Sequence, residues 1–176
     1  MQVAEFRRGG FLVSTDPARL DLDLIYDFLT NCYWAKGIPR EVVARSIEHS
    51  LCFGIYDESR AKAPLLAKPA RNGAPQLEES PVRVPLVGFA RVISDFATIA
   101  YLGDVFVVES HRGRGLGKWL MECILAHPAL QNLRRWILLT RDAHELYRQF
   151  GFTALKSPDR YMELHRPDVY EIRKTI

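Results

Sequence analysis

Apolar positions along the chain fall into spacings that assign most of its elements. Phe11–Thr15 (FLVST) is a short β-type run closed by Asp16-Pro17, after which Leu22, Ile25, Tyr26 and Leu29 recur at the i, i+3, i+4, i+7 spacing of an amphipathic helix. Gly37 and Pro39 interrupt the aromatic stretch Tyr33–Glu41 before a second helical set, Val42, Val43 and Ile47. Leu51–Tyr56 and Leu86–Ser94 read as the two strands of a hairpin. The longest near-continuous apolar run, Ile99–Val108, is rich in β-branched and aromatic residues and reads as a central strand covered on both faces. Leu116, Trp119, Leu120, Cys123 and Ile124 then mark a helix stopped at His127-Pro128. Trp136–Thr140 reads as a buried strand. Ala143, Leu146, Tyr147 and Phe150 give a short helix with Gly151 at its C-terminal cap, and Phe152–Leu155 and Tyr161–Leu164 supply the last strand material. The order β-α-α-β-β-β-α-β-α-β predicts an α/β (α+β) fold, a mixed sheet flanked by helices.

The hairpin strands are separated by residues 59–85, which carry five prolines and little apolar periodicity. This span reads as an irregular insertion, either a tolerated surface excursion or a lid. With 176 residues, 48% of them hydrophobic, the chain fits one domain, 1–176, able to bury a sizeable core. The balance of 24 Lys+Arg against 21 Asp+Glu, 24 − 21 = +3, is too small to argue for a nucleic-acid or membrane surface, so any anion site must be local. Cys32, Cys52 and Cys123 are odd in number and lack metal spacing, which fits free thiols in a reducing compartment and no metal. Neither a membrane span nor an N-terminal signal stretch is visible, and the expectation is a cytoplasmic protein.

The chemistry is concentrated in His111-Arg112-Gly113-Arg114-Gly115-Leu116-Gly117-Lys118, between the Ile99–Val108 strand and a helix start. Three fixed cations and three glycines, with no acid, suit an anion: the first helical turn has unpartnered N–H groups and a partial positive charge, and glycines let a ligand approach closely. Spacing excludes two commoner phosphate motifs. A Walker loop needs glycine at Arg112 and Ser/Thr at Trp119, and a dinucleotide fingerprint needs glycine at Lys118.

The remaining pattern, Arg112-x-x-Gly115-x-Gly117, resembles the acyl-CoA pyrophosphate loop of the GNAT superfamily of N-acyltransferases. Downstream, Ala143-x-x-Leu146-Tyr147-x-x-Phe150-Gly151-Phe152 is similar to that superfamily's second signature. The resemblance implies a mostly antiparallel GNAT-like sheet whose strands Tyr101–Val108 and Trp136–Thr140 splay apart to admit acetyl-CoA. It implies that the backbone of Val105, Phe106 and Val107 holds the pantetheine arm, and that Arg112, Gly113, Arg114, Gly115, Leu116, Gly117 and Lys118 hold the pyrophosphate. Thr140, whose position the resemblance places against the cofactor, stands where many members have Asn.

Transfer to an amine needs a neutral nucleophile, and an alkylammonium titrating near 10.4 is only about one part in a thousand neutral at pH 7. The resemblance gives Tyr147 the role of general acid to the departing sulfur; the alternative, from its place on an apolar stripe, is a core aromatic. Asp104 is the first choice as base, since an acid inside an apolar strand is costly unless functional or paired, for instance with Arg91 or Arg141. Glu109, Asp142 and His144 follow, otherwise a solvated turn acid, a helix N-cap and a surface residue. Tyr33 and Trp34 either wall the acceptor site or anchor their loop. No Cys or Ser sits in a triad-like context, which favours direct attack over an acyl-enzyme. The expected activity is N-acetyl transfer to a primary amine of a small molecule or protein, with a homodimer left open. Second readings are a non-catalytic acyl-CoA sensor and a nucleotide-phosphate module.

Overall fold

The computed structural model of the chain describes residues 2–60 and 84–170. The irregular insertion expected at 59–85 lies, from 61 to 83, outside the described residues. The elements run β1 (Glu5–Arg8), β2 (Phe11–Ser14), α1 (Leu22–Asn31), α2 (Arg40–Glu48), β3 (Leu51–Asp57), β4 (Leu86–Ser94), β5 (Ile99–Val107), α3 (Leu116–Ala126), β6 (Arg135–Leu138) and α4 (His144–Arg148). They form a six-stranded sheet in the order β1-β2-β3-β4-β5-β6, antiparallel except for the parallel pair β5–β6. Helices cover both faces: α1 and α2 pack over Leu12, Cys52, Tyr56, Phe89 and Phe106, while α3 and Tyr147 of α4 pack over Val13, Phe53, Ile55, Ala100 and Leu102.

Three expectations are corrected. Strand β1 was not foreseen, because its polar residues Glu5, Arg7 and Arg8 are exposed at a sheet edge; its signal was Gly9-Gly10, both at positive φ (55° and 81°), as a tight hairpin turn requires. The strand covered on both faces is β3, every residue of which is buried, whereas β5 is only alternately buried. Phe152–Leu155 and Tyr161–Leu164 form no strand: apart from Phe152, which packs against Tyr147, these residues are exposed, and the chain turns at Pro158–Arg160.

A bulge in β5 sets up the site. Phe89 pairs with Phe106 and Arg91 with Gly103, so Ala90 alone faces both Asp104 and Val105, and Asp104 takes a φ of +55°. One extra residue inverts the side-chain phase: Ala100 and Leu102 face the α3 side, yet Phe106 faces the α1–α2 side.

Candidate functional site

Strand β5 leads through a 3-10 turn, Glu109–His111, into the glycine loop and α3. His111 and Leu116 are buried (3% and 5% exposed), and Arg112 to Gly115 hang exposed between them. Gly113 and Gly115 hold φ of +75° and +73°, and Gly115 is the N-cap of α3 with no side chain to satisfy the helix's first N–H groups. A Cβ built on Gly113, Gly115 or Gly117 would meet nothing within 4 Å, so the ligand side of the loop is open. Among the described residues, Arg112, Arg114 and Lys118 have no carboxylate partner, although Arg112 Nε donates to the Val107 carbonyl at 3.1 Å. A cavity of about 310 Å³ adjoins the loop, lined by Arg8, Phe11, Arg114, Lys118 and Trp119 among others.

The slot beside β5 follows from strand register. Pairing with β6 runs from Ile99↔Arg135 to Leu102↔Leu138 and stops; β5 continues through Gly103–Val107 with no strand on that edge among the described residues. Val105, Phe106 and Val107 lie on this edge, ahead of the loop; Phe106 pairs with Phe89 of β4 and the Val107 carbonyl accepts from Arg112 Nε, and backbone groups left open along such an edge are the kind an extended ligand satisfies.

Aromatic and charged groups converge where the two strands part. Both Asp104 carboxylate oxygens are engaged: Arg91 Nε donates to Oδ2 at 2.7 Å and Trp34 Nε1 to Oδ1 at 3.3 Å. Tyr33 Oη accepts from the Arg141 backbone N–H at 3.2 Å, and the Arg141 guanidinium lies 3.7 Å from the Tyr33 ring centroid. Tyr33 and Trp34 meet edge to face at 4.9 Å, and behind them Phe28 stacks on Phe106 at 3.8 Å. Tyr33 and Trp34 thus tie the α1–α2 loop to β5 and to the segment that follows β6, while remaining partly exposed. Tyr147 is buried to 8% exposure and contacts Phe152 edge to face; burial pushes its hydroxyl up to about 12, with Tyr33, Asp142 and Tyr101 adding to the rise.

Thr140, at the mouth, accepts from the Ala143 backbone N–H at 3.0 Å. The expectation that Asp142 caps α4 is corrected: Ala143 is the N-cap and Thr140 supplies the bond. Glu109 and His144 are exposed. Among the described residues no group of three or more His, Cys, Asp and Glu is placed to hold a metal.

A serine does enter a triad-like arrangement, contrary to expectation. His111 Nε2 donates to Asp57 Oδ2 at 3.1 Å, because a carboxylate only accepts, and the Ser110 hydroxyl meets Nδ1 at 2.9 Å. This chain lies at the loop end of β5, away from the Asp104 bulge. The one sequence signal for it was an acid closing the apolar run Leu51–Tyr56.

Residues 80–154 match the family profile described as the acetyltransferase (GNAT) domain. The chain is similar to a candidate acetyltransferase of Gibberella zeae, at 35% identity over 146 residues that cover 80% of the chain and 77% of the relative. Among solved structures it is similar to a candidate acetyltransferase of the GNAT family from Xanthomonas campestris pv. campestris, 45% identical, with 91% of this chain and 96% of that one covered and a TM-score of 0.74. In fold alone it is similar to a candidate acetyltransferase of Clostridium acetobutylicum solved with acetyl-CoA, 13% identical, with 88% and 94% covered and a TM-score of 0.54.

Proposed function

The chain belongs to the GNAT family of acetyltransferases and is an acyltransferase, and from that premise we propose that it carries an acetyl group from acetyl-CoA to a primary amine of a small molecule or protein. The observation that carries the donor assignment is the exposed cationic glycine loop suspended at the end of a strand whose adjoining edge is open. When bound, acetyl-CoA supplies the acetyl group already activated as a thioester. Val105 to Val107 offer backbone groups to the pantetheine arm. The N–H groups from Arg112 to Lys118, with the three side-chain cations, receive the pyrophosphate.

Tyr147 Oη keeps its proton throughout the neutral range, since burial pushes it to about 12. A thiol titrates near 8.5, well below the raised hydroxyl, so Tyr147 acts chiefly as a hydrogen-bond donor to the departing sulfur. Asp104 Oδ1 carries only a long bond from Trp34 and is the atom proposed to take the amine's proton; Arg91 fixes the other oxygen. Tyr33 and Trp34 form the acceptor wall.

The test is thiol release from acetyl-CoA against a panel of small amines, amino acids and peptides. At least one amine is expected to accelerate release. Tyr147→Phe should lower kcat about 10²-fold while leaving KM for acetyl-CoA within about two-fold, the pattern of a lost donor to the reacting atoms. Asn keeps the positive φ that Asp104 needs, so Asp104→Asn isolates the carboxylate's charge. It should slow turnover by a similar factor; an unchanged rate would assign Asp104 to holding Trp34 alone.

A further inference from the structure

We propose that the buried pair His111–Asp57 is a positioning device for the loop 112–118: it fixes where the loop's N–H groups stand, and so how tightly the pyrophosphate is held, without touching the reacting atoms. The inference rests on the reading of that loop as the acetyl-CoA cradle.

The loop has few contacts of its own: Arg112 Nε donates to the Val107 carbonyl at 3.1 Å and Arg114 reaches the Ser110 carbonyl at 3.5 Å, both tying back to its upstream end. Gly113 and Gly115 carry no side chains to pack, no Cβ at either position would find a neighbour, and Arg112 to Gly115 are exposed. Its form is therefore set at its two buried ends. Downstream, Leu116 enters the apolar core with α3. Upstream, His111 is the last residue before Arg112, and its ring is held on three sides. Nε2 donates to Asp57, Nδ1 meets Ser110, and Phe11 contacts it edge to face at 6.2 Å.

Asp57 in turn ends β3, the strand buried along its whole length, so the loop is tied to the interior of the sheet. Its Oδ1 accepts from the Ser59 N–H and hydroxyl, and Arg60 Nε lies 3.6 Å from Oδ2. Burial alone would raise this carboxyl, but the bonds from Ser59 and His111 outweigh it and hold it below the usual range. Burying a carboxylate is unfavourable unless it is fully bonded, and here the bonds run to the base of the loop. A cradle held in its bound shape in advance binds more tightly because less order is lost on binding.

The test measures acetyl-CoA affinity by calorimetry, and KM and kcat with an accepted amine, for the wild type and three variants. His111→Phe keeps the contact with Phe11 and leaves Asp57 bonded to Ser59 and Arg60, yet removes the donor. His111→Asn keeps polarity but is too short to reach Asp57, and serves if the Phe variant does not fold. His111→Gln presents an amide N–H to Asp57 and is the rescue. The Phe and Asn variants are expected to weaken binding and raise KM for acetyl-CoA at least about ten-fold with saturating kcat within about two-fold, and Gln is expected to stay within about three-fold of wild type on both. A folded Phe or Asn variant with wild-type affinity, or one that loses kcat at unchanged KM, overturns the inference. Absence of acetyl-CoA binding by the wild type would overturn the cradle reading and this inference together, whereas wild-type binding with unaffected variants overturns this inference alone.

Discussion

Glycines in the phosphate loop are not equivalent. Gly113 and Gly115 sit at positive φ, where any other residue costs roughly 1–2 kcal/mol, so their replacement mixes strain with blocked access. Gly117 lies inside the first turn of α3, with open space where a Cβ would stand. A substitution there changes the ligand side and little else. Tyr147 makes a second residue-scale prediction, with a sign that can be worked out. A hydroxyl raised by burial keeps its proton above the ordinary tyrosine value, so the donor form survives past pH 10. The kcat profile should stay level from about pH 8 to about pH 10, and a fall centred near 10 that Tyr147→Phe abolishes would contradict a hydroxyl raised by burial.

At the scale of elements, the turn after α3 carries its own titration. His127 is buried, its Nδ1 accepts from the Ala129 N–H at 3.2 Å, and its Nε2 has no partner among the described residues. Desolvation lowers its pKa, so the fold favours the uncharged ring while the unfolded chain takes a proton near 6.5. The stabilisation is complete above that value and is lost as pH falls below it. Thermal melts should therefore show a lower Tm at pH 5 than at pH 7.5, and the difference should shrink in His127→Asn; an undiminished difference would assign it to other groups.

The same scale explains what could be read in advance. Helices α1, α2 and α3 were legible because each buries one apolar stripe, and β3 to β6 because their apolar runs are bounded by turns. The loop and the slot were legible through a motif whose backbone geometry is local. Three things were not. The β5 bulge is a property of two strands, and no spacing within one announces that Ala90 will face two residues. Arg91 could be named in advance as a partner for Asp104, but its second partner Trp34, 70 positions away, and the pairing of Asp57 with His111, 54 positions away, become visible only in the fold. Among the described residues no strand follows β6, because Tyr161–Leu164, apolar at three of four positions, finds no pairing along it.

For the whole molecule, a net charge of +3 spread over the chain gives little attraction to an anion at a distance, yet three cations stand together at one helix start. Recognition of the donor should thus be short-ranged and electrostatic. Raising salt from about 0.05 M to 0.5 M is expected to weaken acetyl-CoA binding several-fold, because the cations are exposed and screened, while the stability of the apolar core is little affected. Equal affinity at both salt concentrations would argue against phosphate contacts as the main source of binding.

The most direct test of the loop as the donor's anchor is a calorimetric titration of acetyl-CoA into Gly117→Glu beside the wild type and Gly117→Ala. A glutamate in the first turn of a helix complements the dipole, so the Glu variant should melt no lower than the wild type while a negative charge stands where the pyrophosphate must lie. The account predicts binding by the wild type and by the Ala variant within a few-fold of each other, and at least about a hundred-fold loss in the Glu variant. A folded Gly117→Glu protein that binds acetyl-CoA as tightly as the wild type would contradict it.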